Sequence, residues 1–442
     1  MKLTHFQIQF DNPHGVFAAG EKVSGQIMLN LAKPMKMRSL KVLLVGEGKS
    51  HWSKRRGKTT VHYRGSETYL NALIVLFEGD SQSGNKEHPA GSHAYPFSVQ
   101  LHANLPSSFE GTRGHVRYVC KCTIDRPWKF DSHTKRAFTV IHHVDLNYLQ
   151  QAPIPLDGQT RQDIEGCCCS AGSVEASLSL NKTGYVPGEP IVFDILVDNQ
   201  SDYRINQVEL ILTQVKYVVL SYDNVQSPDY TNLNPVQKKQ TYRESRGAFL
   251  SSGHPKNSPK TASFSLLHYN CNIKQRTSER INRATLVPSL PPSGLEGCGI
   301  IDIAYTVELK VPCSGSKLKI LKKIILGTIP LQEPTFQVPV QPSAPSLQHS
   351  PSGPVTVQPQ SVNLNIDPLP QPPSYEEALA PPPAYSECVY GRTLIRDAGD
   401  DDHTTGDTNW APAYPYYDWS TLPYRGQRPE VATAGPPQYD ND

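Results

Sequence analysis

A short turn sequence occurs twice in this chain, and the repetition constrains the fold more than any other feature. Val16-Phe-Ala-Ala-Gly-Glu-Lys-Val23 is matched by Gly184-Tyr-Val-Pro-Gly-Glu-Pro-Ile191. Phe17 falls on Tyr185, Gly20-Glu21 on Gly188-Glu189 and Val23 on Ile191, an offset of 168. A second match follows in the same order: Leu105-Pro106 with Glu110-Gly111, and Leu290-Pro291 with Glu296-Gly297, about 186 residues apart. Each second string leads into an alternating apolar–polar segment, around Tyr118 and around Tyr305. Two features recurring in order mean duplication of one unit of roughly 150–165 residues, too long for a solenoid repeat.

Each unit reads as strands. Phe6, Ile8 and Phe10 alternate with His5, Gln7 and Gln9, the period of a half-buried strand. Val42 to Val45, Thr139 to Ile141, Ile191 to Val197, Val208 to Leu212 and Ile301 to Val307 are short β-branched or apolar runs. Turn residues separate them, as at Asn12-Pro13, Ala19-Gly20 and Pro187-Gly188. Helical periodicity is scarce. The pattern predicts an all-β chain of two tandem immunoglobulin-like β-sandwiches, 1–165 and 166–331, joined by a polar linker near 152–172. Loops are expected at 46–66 and 79–93, and a long polar insertion at 222–262.

Composition changes sharply after the second unit. Residues 332–442 hold 20 of the 39 prolines, four arginines, no lysine and 14 Asp or Glu, near −10, whereas residues 1–331 carry 39 basic and 27 acidic groups, near +12. This composition predicts a disordered acidic tail over 332–442. Three strings in the tail carry chemistry: Pro372-Pro373-Ser-Tyr375, Pro382-Pro383-Ala-Tyr385 and Pro436-Pro437-Gln-Tyr439. Proline presets the polyproline II form, so little entropy is lost on docking in an aromatic groove, and the tyrosine projects where a second pocket can read it. This PPxY pattern is the ligand of WW domains, and three copies in 68 residues exceed chance. Tyr375 and Tyr385 lie ten residues apart, a flexible span of roughly 17–19 Å, so tandem WW domains are expected to engage both and gain avidity.

Longer strings then point to a family. The turn Phe17 to Val23, the run Asn104-Leu-Pro-Ser-Ser-Phe-Glu-Gly-Thr-Arg-Gly-His-Val-Arg-Tyr118 and Ile124-Asp-Arg-Pro-Trp-Lys-Phe130 resemble the N-terminal domain of the alpha-arrestins, the arrestin-domain-containing proteins. Gly184 to Glu189, Pro288 to Gly297 with Ile300-Ile-Asp302, and Leu326-Gly-Thr-Ile-Pro-Leu331 resemble their C-terminal domain. The resemblance implies two arrestin-like sandwiches and a non-enzymatic adaptor. Its PPxY motifs would bind WW-domain HECT-type ubiquitin ligases, and its arrestin body would meet membrane receptors or transporters. Cargo ubiquitination would then direct endocytosis through the endosomal sorting machinery. It also implies a cytoplasmic protein peripherally at plasma membrane and endosomes, and it raises a different reading, a redox-linked protein that binds thioredoxin through a cysteine such as Cys271 or Cys298.

The remaining features are weaker. Lys54, Arg55, Arg56 and Lys58 form a basic stretch suited to lipid headgroups or phosphate, against the plain reading of a solvated charge run. Cys167, Cys168 and Cys169 are adjacent, a pattern suited to palmitoylation rather than to a metal. Cys120 and Cys122 share one face of a strand and read as core. Stacking aromatics do not interleave a broad basic face, which argues against nucleic acid. No P-loop, His-Glu-x-x-His, Gly-x-Ser-x-Gly or Cys-x-x-Cys occurs, so neither a metal, a cofactor nor catalysis is expected. The N-terminal MKLTHFQIQFDN lacks the apolar core of a secretory signal, and no stretch approaches a membrane span. The nine cysteines are accordingly expected as thiols in a reducing compartment.

Overall fold

The computed structural model describes residues 2–56, 58–79, 86–165, 170–218, 260–313, 316–332, 384–397, 399–419, 431–433 and 438–439. The described residues are almost all in strands, with one 3-10 turn at Leu146–Tyr148. The first unit contains β1 (Leu3–Phe10), β2 (Val16–Ala18), β3 (Lys22–Leu31), β4 (Met35–Met37), β5 (Ser39–Arg56), β6 (Thr59–Glu78), β7 (Lys86–His88), β8 (Gly91–Gln100), β9 (Gly114–Asp125) and β10 (Ser132–Ile141). One layer has the order β1-β3-β8 and the other β2-β10-β9-β5-β6. The second unit contains β11 (Leu156–Glu165), β12 (Ser170–Leu180), β13 (Gly184–Tyr185), β14 (Pro190–Asn199), β15 (Ile205–Val218), β16 (Lys260–Ile273), β17 (Thr277–Leu286), β18 (Ile301–Cys313) and β19 (Ser316–Leu326). Its layers run β11-β12-β14-β17 and β13-β19-β18-β15-β16. Strand for strand, β3 answers β14 and β9 answers β18.

Alternation builds the sandwiches. Buried and half-buried residues alternate along β3, β9 and β18, so each strand presents one apolar face to the core. The buried apolar residues of both units join in one cluster. The repeated turns are alike down to single hydrogen bonds. Gly20 and Gly188 take φ of 89° and 85°, a conformation costly for any residue with a Cβ. The following glutamate turns back on its own loop: Ala18 N–H donates to Glu21 Oε2 at 2.6 Å and Val186 N–H to Glu189 Oε2 at 3.0 Å. The Tyr118 hydroxyl donates to Pro106 O and the Tyr305 hydroxyl to Pro291 O, both at 2.7 Å. These matches bear out the duplication.

Several local expectations change. The loop expected at 46–66 is a hairpin: β5 and β6 stay paired from Ser39↔Glu78 out to Arg56↔Thr59. Residues with turn-like polarity are held there by the cross-strand ladder. The linker expected at 152–172 is largely another hairpin, β11 with β12, in the second unit's sheet. Residues 156–165, expected to close the first domain, therefore pair within the second. Most of the insertion at 222–262 lies outside the described residues.

Part of the tail, expected to be disordered over 332–442, is among the described residues. Its described part forms β20 (Ala384–Glu387), β21 (Thr393–Leu394), β22 (Thr404–Asp407), β23 (Asn409–Trp410), β24 (Ala413–Tyr416), β25 (Val431–Thr433) and β26 (Gln438–Tyr439). Strand β22 adds to β10 and β25 to β17 in parallel, and β26 to β16 antiparallel, so all three extend sheets of the body.

Candidate functional site

Of the PPxY residues, Pro372, Pro373, Tyr375, Pro382, Pro383, Pro436 and Pro437 lie outside the described residues. Tyr385 lies in β20, opposite Pro415 of β24, with its ring centroid 6.2 Å from that of His14. Tyr439 lies in β26, opposite Ala262. Lys54, Arg55 and Arg56 are at the far end of β5, and Lys58 is exposed in the turn that follows. Cys167, Cys168 and Cys169 lie outside the described residues.

The residues between Tyr385 and Trp419 occupy a track across both sandwiches. Ser289 anchors its start: the hydroxyl donates to Ser386 O at 2.9 Å, and Ser289 O accepts from Val389 N–H at 3.2 Å. The Tyr390 hydroxyl donates to Gln214 Oε1. Gln214 Nε2 donates to the Tyr305 hydroxyl at 2.6 Å, which continues to Pro291 O. A tail residue thus joins a buried polar chain that begins at the repeated proline. The Lys216 ammonium lies 4.4 Å from the Tyr390 ring centroid and 5.4 Å from that of Phe109. Burial lowers the pKa of Lys216 to about 8.

The track then crosses β10. Lys135 is 1% exposed, and its ammonium donates to Asp397 and, at 2.8 Å, to Asp400 Oδ2. A buried ammonium is tolerated only when its charge is met, and removing one side of such a pair costs about 3–5 kcal/mol. Burial opposes the charge on Asp400, but Lys135, the Asp397 N–H and Lys121 outweigh it and hold the carboxyl below its usual range. Along β22, His133 N–H donates to His403 O and the Thr405 hydroxyl to His133 O, each at 3.1 Å.

Tyrosines close the track. The Tyr414 hydroxyl donates to Ser108 O at 2.9 Å in the first sandwich, and the Tyr417 hydroxyl to Thr328 O at 2.7 Å in the second. Tyr417 N–H donates to Pro187 O at 3.0 Å, in the repeated turn itself. The tail segment therefore bridges the two domains. Sequence reasoning missed it, although signals existed. An acidic tail faced a basic body, and Trp410, Tyr414, Tyr416, Tyr417 and Trp419 crowd ten residues of a segment otherwise read as too apolar-poor to fold.

The described cysteines behave as packed thiols. Burial pushes Cys298 up to about 11 and Cys388 up to about 12, and raises Cys120, Cys122, Cys271 and Cys313 as well. A reactive cysteine needs the opposite shift. Cys298 instead accepts from the Tyr69 hydroxyl at 3.1 Å, beside Glu67, whose Oε2 accepts the Gly299 N–H across the domain boundary. The adjacent histidines have separate partners: His142 Nδ1 is 3.2 Å from Leu105 O and His143 Nδ1 3.2 Å from the Thr328 hydroxyl. Among the described residues no group of three or more His, Cys, Asp or Glu could hold a metal, and no helix is long and apolar enough to cross a membrane.

Paired, duplicated sandwiches with matching corner turns define a protein of the arrestin class. Family models agree: residues 6–147 match the arrestin (or S-antigen) N-terminal domain and 170–331 the C-terminal domain. The chain belongs to the arrestin-domain-containing family, the alpha-arrestins. It is 30% identical over 340 residues to arrestin domain-containing protein 17 of Caenorhabditis elegans, covering 75% of this chain and 72% of the relative. It is 25% identical over 423 residues to arrestin domain-containing protein 4 of Homo sapiens, covering 85% and 90%. Arrestin domain-containing protein 1 of Mus musculus is 24% identical over 386 residues, covering 87% and 75%.

Proposed function

We propose that this chain is an adaptor that brings WW-domain HECT-type ubiquitin ligases to membrane cargo. The observation that carries the reading is the set of three PPxY strings behind a body of two arrestin domains. The prolines preset the ligand conformation, and Tyr375, Tyr385 and Tyr439 supply the side chain that the ligase's WW domain reads. The arrestin body holds a receptor or transporter, and the ligase modifies it for endocytosis and endosomal sorting. The chain acts in the cytoplasm, peripherally at the plasma membrane and endosomes, with Lys54, Arg55, Arg56 and Lys58 at the tip of a long hairpin as a contact for anionic headgroups.

Ligase pull-down tests this reading. Tyr375→Ala combined with Tyr385→Ala is expected to abolish nearly all capture, and Tyr439→Ala alone to change it little. Undiminished capture by the double variant overturns the reading. The tail holds no lysine, so acceptor lysines for ubiquitin are expected only before residue 332, which mass spectrometry of the modified protein checks. The thioredoxin reading predicts a complex sensitive to dithiothreitol, and the raised thiols of Cys271 and Cys298 do not favour it.

A further inference from the structure

We propose that Tyr385 of the second PPxY motif is sealed by a tail strand that is itself docked on the body, so that ligase engagement at Tyr385 requires the segment 386–417 to leave its track. The inference rests on the WW-ligand reading and adds regulation to it.

The conflict is conformational. A WW groove reads polyproline II, with three residues per turn. Tyr385 is instead in antiparallel register with β24, in the run Ala384↔Tyr416, Tyr385↔Pro415, Ser386↔Tyr414 and Glu387↔Ala413. Strand geometry sends successive side chains to opposite faces, so the same backbone cannot satisfy both partners. Tyr385 is 43% exposed, so the obstacle is the strand pairing rather than burial of the residue. The residues just beyond are fastened more firmly. Ser386 O is held by Ser289, Cys388 is buried with its N–H on Pro412 O, and Tyr390 is tied to Gln214.

The partner strand is fastened too. β24 carries Tyr414, buried against Ser108, and continues into Tyr417, tied to Pro187 and Thr328. Lys135 secures the middle through Asp397 and Asp400. Peeling β20 from β24 therefore works against contacts on both sandwiches. For a ligand that binds only the open form, apparent affinity falls in proportion to the open fraction. Tyr385 is thus available to a WW domain only after release.

Two variants release the tail without altering the body's sequence. Gly406 has φ +112°, and a Cβ there would stand 2.7 Å from Lys135 N, so Gly406→Ala is incompatible with docked β22. Asp397→Asn with Asp400→Asn removes the charges that meet Lys135. The experiment uses the full chain carrying Tyr375→Ala and Tyr439→Ala, leaving Tyr385 as the one motif. Binding of an isolated PPxY-reading WW domain is measured by calorimetry, with a synthetic peptide of residues 378–389 as reference. The full chain is expected to bind about tenfold or more weakly than the peptide. Either release variant should recover the peptide's affinity to within about threefold. Hydrogen exchange at the His133 amide, which donates to His403 O, should accelerate in the same variants. Affinity for the full chain equal to that for the peptide overturns the proposal, as does weak binding that neither variant improves. Failure of the free peptide to bind overturns the WW reading itself and this inference with it.

Discussion

At one position the two sandwiches solve the same packing problem in opposite ways. Tyr118 and Tyr305 occupy equivalent places, each with its hydroxyl on a proline carbonyl. Across the ladder Tyr118 faces Gly46, and Tyr305 faces Gln214. A Cβ at Gly46 would stand 2.5 Å from Tyr118 Cδ1, so the first sandwich makes room for the ring by omitting a side chain. The second places an amide there, which bonds the Tyr305 hydroxyl and reaches on to Tyr390 of the tail. One corner is closed on itself. The other is left as a socket for a distant segment, which shows how duplicated domains diverge at a single residue without changing the fold.

Breaking the closed corner should have the largest effect. Gly46→Ala drives a methyl group into the Tyr118 ring and the Leu70 side chain. A loss of about 3 kcal/mol is expected, at the upper end for overpacking, read as faster hydrogen exchange in β5 and β9 with the second sandwich unchanged.

Next comes the pair of repeated turns. Gly188→Ala meets a left-handed φ and places a Cβ 2.9 Å from Tyr417 N, whereas at Gly20 the nearest atom is Ala103 Cα at 3.6 Å. Gly20→Ala is expected to cost about 1 kcal/mol from backbone strain alone. Gly188→Ala should cost roughly 2 kcal/mol or more and expel the tail. Limited proteolysis within 411–419 should quicken in Gly188→Ala and not in Gly20→Ala. Equal protection in both would refute the contact between Tyr417 and the second turn.

Hydroxyl deletion sharpens the corner comparison. Tyr118→Phe leaves one buried carbonyl unpaired, costing about 1 kcal/mol. Tyr305→Phe also strands Gln214 Nε2, and about 2 kcal/mol is expected. Chemical denaturation of both variants checks the ranking, and only Tyr305→Phe should loosen Tyr390.

The smallest effect concerns Lys216. Its folded pKa, about 8, lies below the unfolded value of 10.5 because burial penalises the charge. Between these values the unfolded chain binds more protons, so stability contributed by this group rises with pH across that window and is lowest below it. Lys216→Met removes the penalty. A higher Tm than wild type is expected at pH 7, with the gap closing as pH rises from 8 towards 10.5. A Tm difference independent of pH would contradict the assignment.

Much of the body was legible in the sequence. Alternation marked the strands, and Gly-Glu turns and Leu-Pro strings marked the duplication, because these depend on neighbours within a few residues. The hairpin at 46–66 was misread as a loop because Lys49, Ser50, Ser53, Lys54 and Arg55 are polar along a ladder that only the partner strand reveals.

What the sequence alone determined is therefore the set of local preferences: which segments extend, where they turn, and which tyrosines follow paired prolines. The tertiary structure alone decided the fate of the tail. Lys135 meets Asp397 and Asp400 across 262 and 265 residues, and Tyr414 meets Ser108 across 306. No local rule predicts such partners, because the sites that receive them exist only after both sandwiches have formed. Acidic and aromatic residues that could not build a core of their own order on a body that supplies the buried cation, the carbonyls and the open sheet edge.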